Sequence, residues 1–404
     1  MGKGNSTTDN FFAVQKEKSR VKTLIVTEFF KAYFPIINAT FRRDIWYIDL
    51  FCGPGRYEDG SASTPIALLD VIDAFKDDAV RMRLKIVFND HNKNYIERLQ
   101  QYIQMHPVLP RLKYQPQILN LKASEVDLSA YTRGNNPIFS FVDPWGYKDV
   151  SISQVWNLVK NQGSDCVLFF NSDRILQDIS KPANTQDFQQ IFGDLFEDAK
   201  AIQIDSTMSQ RKKAEAFLTL FSKNLYLTVQ KEYGKKFKVF VLPFYVEADD
   251  KEKTSHYIVF ISKAHKAIQE MRRVMIKHGN SISAELGYDS KDEMQIALLN
   301  RNDDSTDSII QTIRTVFSKY PSCYNTKYTV ASLSELMDRY EMSTIYKVLP
   351  YSLQEMKSAI QALHLSGCIN VIVPEGRRIR DPITFNREFF ITRKIEEYNH
   401  VRKN

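Results

Sequence analysis

Cysteine is scarce in this chain, with four in 404 residues. Cys52, Cys166, Cys323 and Cys368 lie far apart and none forms a Cys-x-x-Cys pair, so neither a zinc ribbon nor a disulfide framework is indicated. A reducing compartment is the expectation. The seven histidines show no His-Glu-x-x-His or comparable spacing, and no metal site is expected. No apolar run approaches the roughly 20 residues that cross a bilayer, and no signal peptide opens the chain, which gives the expectation of a cytoplasmic protein with no membrane partner. Repeats and low-complexity segments are lacking too.

What is present is an ordinary globular balance, 43% hydrophobic and 25% charged residues, with a formal charge of +7 that is compatible with a nucleic-acid partner, DNA or RNA. The length suggests two or three domains. Residues 1–15 are polar and read as a flexible N-terminus. The start Met1-Gly2-Lys3-Gly4-Asn5-Ser6 matches the myristoylation pattern, which is short and common.

From 16 to 41 the pattern is helical, with Leu24, Ile25, Phe29, Phe30, Tyr33, Phe34 and Ile37 on one broad face that reads as core. Strand-like runs follow at 46–51, 84–88, 114–119, 138–142 and 166–170, separated by helical segments, one of them opening at Pro65. Residues 174–234 break this rhythm and read as a helical insertion. Strands at 237–246 and 256–261, joined by the acidic stretch Glu247-Ala248-Asp249-Asp250, read as an antiparallel pair. The expected fold is therefore α/β: a Rossmann-like class I methyltransferase sheet, parallel strands closed by an antiparallel pair, occupying 16–300.

A basic helix is expected at 264–278, its face carrying Arg272, Arg273 and Lys277. From 301 to 404 the texture changes. A helix at 308–318, capping boxes at Ser332-Leu333-Ser334-Glu335 and Ser352-Leu353-Gln354-Glu355, and a ribbon of 368–373 and 383–390 read as a winged-helix-like C-terminal module. Its expected wing carries Arg377, Arg378 and Arg380. Such charge runs are read first as solvated faces.

Three short motifs carry chemistry. Asp49-Leu50-Phe51-Cys52-Gly53-Pro54-Gly55 sits where the first strand turns into a helix, and its glycines let backbone approach a ligand. Glu58 stands where a dinucleotide fingerprint needs its third glycine, and no Gly-Lys-Ser or Gly-Lys-Thr follows to make a P-loop. Asp90 ends the second strand, where a carboxylate is placed to accept the ribose hydroxyls of a nucleoside. The third motif, Asp143-Pro144-Trp145-Gly146-Tyr147, falls at the end of the fourth strand. There Asp143 offers an acceptor to a substrate amine, and Trp145 or Tyr147 offers a plane for stacking. The structural alternative is a proline-anchored turn with an aromatic plug.

The first motif with its continuation Arg56-Tyr57, and Asp59-Gly60, together with Asp143-Pro144-Trp145-Gly146-Tyr147, resembles the three-Cys-motif partner family, TcmP. That resemblance implies S-adenosylmethionine as cofactor. It places Asp49, Phe51, Gly53 and Gly55 at the methionine end, with Pro54 among the cofactor-binding residues, Asp90 at the ribose and Asn120 facing the adenine. It also implies a partner of the radical-SAM-like three-Cys-motif type. The catalytic candidates are Asp143, Pro144, Trp145 and Tyr147. No cysteine follows a proline, which argues against cytosine-ring carbon methylation. The amine-methylating pattern has a second proline where this chain has Trp145. The functional expectation is a methyltransferase acting on nucleic acid or with the three-Cys-motif partner. The alternatives are a non-catalytic partner of that protein and a DNA-binding protein with a degenerate enzyme domain.

Overall fold

A computed structural model describes residues 17–144, 146–147, 149–234, 238–247, 255–279, 287–288, 294–372 and 388–393. The N-terminal segment 1–15, Trp145, the loop after Glu247 and the expected wing with Arg377, Arg378 and Arg380 lie outside them.

The elements that position the site come in chain order: α1 (Glu17–Phe41), β1 (Ile45–Asp49), α2 (Thr64–Ala74), β2 (Leu84–Asn89), α3 (Lys93–Gln104), β3 (Gln117–Leu119), β4 (Ile138–Val142), α4 (Ile152–Val159) and β5 (Asp165–Asn171). Four helices follow, α5 (Ser172–Asp178), α6 (Thr185–Phe192), α7 (Phe196–Ile204) and α8 (Gln210–Tyr233), then β6 (Phe240–Glu247), β7 (Ser255–Ser262), α9 (His265–His278) and β8 (Gly287–Tyr288). One sheet holds all eight strands in the order β3-β2-β1-β4-β5-β7-β6-β8. The first five are mutually parallel, and β7 runs antiparallel between β5 and β6. This is the Rossmann-like sheet expected, five parallel strands closed by an antiparallel pair. The two-residue β8, parallel to β6, is an addition.

Strand β4, Ile-Phe-Ser-Phe-Val, is buried along its whole length, as a central parallel strand covered on both faces must be. Helix α1 covers one face. Its Phe29, Phe30 and Tyr33 rings stand 5.4, 6.1 and 5.2 Å from Phe139. The apolar stripe of α1 is core. The insertion is helical, and Phe188, Phe192, Phe217 and Phe221 bury it against the sheet's core.

The C-terminal elements are α10 (Met294–Lys319), β9 (Lys327–Tyr328), α11 (Val330–Thr344), α12 (Leu353–Leu365), β10 (Ile369–Ile372) and β11 (Phe389–Arg393), with the strands in the antiparallel order β10-β11-β9. They enclose a second core around Ile313, Phe317, Leu333, Met337, Ile360, Val371 and Ile391. Helix α10 runs unbroken across the expected boundary at 300/301. The capping box at Ser352 and Glu355 opens α12. That at Ser332 does not open a helix: α11 starts a turn earlier, with Thr329 as cap and Ser332 closing the box from inside. Glu335 is left free to bind Lys238 at 3.2 Å.

The two cores meet at a polar seam. Arg272 does not belong to a basic surface face. It is fully buried, and its guanidinium grips Asp338 of α11 with Nη1–Oδ2 at 3.0 Å and Nη2–Oδ1 at 2.6 Å. Of its former companions, Arg273 pairs with Glu270 and Lys277 with Glu28. The backbone also crosses the seam, Val348 N–H donating to Val241 at 2.9 Å. No helix among the described residues is long and apolar enough to cross a membrane.

Candidate active site

The strand order reverses between β1 and β4, and open α/β sheets bind ligands outside the carboxyl ends of strands at such a point. The register sets Asp49 beside Phe141, so the chain leaves β1 and β4 side by side. Two cavities open there. One, about 270 Å³, is walled by Lys22, Asp49, Phe51, Gly53, Asp143, Pro144 and others. The second, about 250 Å³, is walled by Phe51, Gly146, Tyr147, Asp178, Asp187 and others. Phe51 and Arg174 line both, so the lobes adjoin.

The β1–α2 loop turns through two glycines in left-handed backbone, Gly53 at φ 65° and Gly55 at φ 85°. Their duties differ. Gly53 lines the first cavity, while a Cβ on Gly55 would stand 2.8 Å from Leu99 Cδ1, so Gly55 serves the close packing of the loop on α3. Pro54 is buried and lines neither cavity. Asp90, 3% exposed, lies behind the loop rather than in a cavity wall. Its Oδ2 accepts the Gly53 N–H at 3.0 Å and its Oδ1 the Asn92 N–H at 2.8 Å. Each oxygen retains a further lone pair. Asn120 is exposed beside it, its amide donating to the Asp90 carbonyl at 2.9 Å, and lines neither cavity.

Asp49 has no exposed surface, and its Oδ1 accepts the Phe51 N–H at 3.1 Å. Its Oδ2 has no hydrogen-bond partner among the described residues. Burial pushes this carboxyl well above the usual range against that single N–H, and nearby Asp143 and Asp90 push it further. Burial also drives the Cys52 thiol well up, with Asp49 and Asp90 adding to it, so this cysteine is a buried thiol and no nucleophile.

Asp143 follows β4 and forms an ion pair with Lys22 of α1. Lys22 is 7% exposed, and its ammonium stands 4.0 Å from the centre of the Phe169 ring. Tyr147 is buried, its ring 5.8 Å from both Phe170 and Phe188, and burial raises its phenol well above its ordinary value. It lines the second cavity and is already packed by protein rings.

Sequence reasoning missed Lys22, Arg174 and His256, all of which line the first cavity. Lys22 left one trace, a lysine set within the apolar face of α1. Arg174 arrives with the insertion, whose first helices wall the second cavity through Asp178, Asp187 and Phe188. His256, on β7, is 4% exposed, with Nε2 at 3.9 Å from Asp173.

No family model matches the chain, and no curated protein matches it. The resemblance to the three-Cys-motif partner family thus rests on its motifs alone. Among solved structures, protein LPL1258 from Legionella pneumophila, of family DUF519, aligns at 8% identity and TM-score 0.36 over 63% of this chain and 90% of its own. An S-adenosylmethionine-dependent methyltransferase from Methanosarcina mazei aligns at 11% and 0.29 over 56% and 96%. The methyltransferase domain of bacterial CtHen1-C aligns at 12% and 0.28 over 59% and 98%. These likenesses are too shallow to bear on function. The fold rests on the strand order of this chain itself.

Proposed function

We propose that this protein is an S-adenosylmethionine-dependent methyltransferase acting on nucleic acid. One observation carries the reading: a buried carboxylate, Asp49, walls a cavity at the sheet's switch point with one oxygen that no described residue satisfies. Buried polar groups are ordinarily paired, so an orphan in a cavity wall marks where a ligand supplies the partner. S-adenosylmethionine supplies a sulfonium and an ammonium, the charge that Asp49 and the neighbouring Asp90 favour, Asp143 being already paired with Lys22. Asp49, Phe51 and Gly53 would hold its methionine end, while Asp90 braces the loop through the Gly53 N–H and Gly55 shapes it. When bound, the cofactor offers an electrophilic methyl group. The chain's part is to orient the acceptor against it.

Nucleic acid as the acceptor is favoured by the +7 charge and by the helix–strand–helix–helix–strand–strand order of the C-terminal module, which is that of a winged helix. A three-Cys-motif protein is the proposed partner, on the motifs of the cofactor loop and of Asp143-Pro144. Calorimetry with S-adenosylmethionine, followed by transfer of labelled methyl to RNA, DNA and the three-Cys-motif protein, tests the reading. Binding with transfer is expected, and Asp143→Ala should abolish transfer while sparing binding. No binding would overturn it, and binding without transfer to any of the three would leave a non-catalytic partner.

A further inference from the structure

We infer that the methyl acceptor is a hydroxyl oxygen held between Lys22 and Asp143, and hence, in a nucleic acid, the 2′-hydroxyl of an RNA ribose. This rests on the methyltransferase reading and goes beyond it, because it fixes the atom that is methylated.

The decisive group is Lys22. Its ammonium reaches the cavity from α1 and meets Asp143, 121 residues away, beside the Phe169 ring. The lysine side chain is 8% exposed and that of Asp143 25%. The pair is thus buried on the protein side and open on the cavity side. A buried lysine beside the acceptor discriminates between two kinds of nucleophile. A neutral amine attacks with its own lone pair and gains positive charge as the N–C bond forms, and an adjacent ammonium opposes that charge. A hydroxyl attacks well only as its proton leaves, so charge on the oxygen runs towards the anion. An adjacent ammonium stabilises that charge.

The step balances with groups on the page and the proposed cofactor. The acceptor oxygen forms a bond to the methyl carbon as the carbon–sulfur bond of the sulfonium breaks, its electron pair staying on sulfur to give a neutral thioether. The hydroxyl proton passes to the Asp143 carboxylate and from its exposed edge to solvent. Lys22 donates to the oxygen throughout. The second proline of the amine-methylating pattern, which shapes carbonyls to hold an amine, is Trp145 here. Among nucleic acids the 2′-hydroxyl is what separates RNA from DNA, so a hydroxyl acceptor selects RNA.

The test uses the full-length protein, S-adenosylmethionine labelled in its methyl group, and total cellular RNA and genomic DNA from cells deleted for the gene. After digestion to nucleosides, the label is expected on ribose as 2′-O-methyl nucleosides from RNA only. Lys22→Met should lower transfer by about 100-fold or more while calorimetry still reads S-adenosylmethionine binding, as expected of a group that acts on the acceptor. Lys22→Arg, which keeps the positive charge, should restore part of the rate. Label on neither polymer overturns both the inference and the nucleic-acid reading. Label on a base or on DNA overturns the inference while leaving the underlying reading standing. So does a Lys22→Met variant as fast as wild type. The label's position is read on the wild-type protein and does not depend on how either variant folds. A wild-type protein that does not bind the cofactor overturns both.

Discussion

Asp338 and Asp49 are both carboxylates without exposed surface, one in the seam between the two cores and one in the wall of the cleft. Burial pushes both upward. At Asp338 the Arg272 guanidinium, with His265 Nε2 at 2.7 Å and the Tyr351 hydroxyl donating at 3.1 Å, overcomes burial and holds the carboxyl below its ordinary range. At Asp49 one backbone N–H and the more distant charge of Lys22 oppose burial and lose, and the carboxyl stays well above it. What separates a structural acid from a ligand-binding one is therefore the partners brought to it, and burial alone does not distinguish them. Both Asp338 oxygens are satisfied within the chain, although Arg272 Nε and Glu341 Oε1 beside them have no partner among the described residues. The cleft leaves Asp49 Oδ2 without a partner among the described residues, the place proposed for a ligand.

The largest way to break this comparison is at the seam. Arg272→Met strands a charge at Asp338 and should cost about 3–5 kcal/mol in urea unfolding, whereas adding Asp338→Leu should recover most of it. A double variant as unstable as the single one would show that the pair contributes more than mutual neutralisation.

A third acid sharpens the scale between them. Burial raises Asp165 to about 7, offset in part by Ser262 and Lys263, and burial lowers Lys263 to about 8. For the acid the folded form binds the proton more tightly than the unfolded one. Its contribution therefore declines as pH rises from the ordinary carboxylate range to about 7. For the lysine the unfolded form binds more tightly, so stability recovers only above about 8. Asp165→Asn should accordingly stabilise the protein by about 1–3 kcal/mol between these values and by nearly nothing at pH 4. Thermal unfolding across pH reads this directly. The same sign applies to Asp49→Asn, which keeps an oxygen for the Phe51 N–H and should be at least as stable as wild type near neutral pH.

The same contrast explains what the sequence made legible. Parallel strands read clearly because burial on both faces makes them continuous apolar runs, as in β4 and β5, and α1 read clearly because its aromatic face repeats at helical spacing. Asp49, Asp90 and Asp143 were found because each stands at the end of a strand, where topology alone places it. Partners were not legible. Nothing in the sequence joins Lys22 to Asp143 or Arg272 to Asp338, and a helical repeat shows which residues share a face without showing what that face meets. Arg272 therefore read as surface charge. Ser332 and Thr329 are both able to cap a helix, and spacing did not choose between them. Gly55 read as a ligand-facing glycine because its contact, Leu99, lies 44 residues on in another helix.

Whether Asp49 awaits a cationic cofactor is read by calorimetry of S-adenosylmethionine binding to wild type and Asp49→Asn at several pH values. A cation favours the ionised form of a carboxyl that burial has raised, so binding releases a proton and wild-type affinity should climb with pH. Asp49→Asn should bind about tenfold or more weakly, the worth of a hydrogen bond or ion contact to a charged group, and should lose the proton release. Wild-type protein that gives no binding heat, or an Asp49→Asn variant that binds as tightly as wild type with the same pH dependence, would contradict the account.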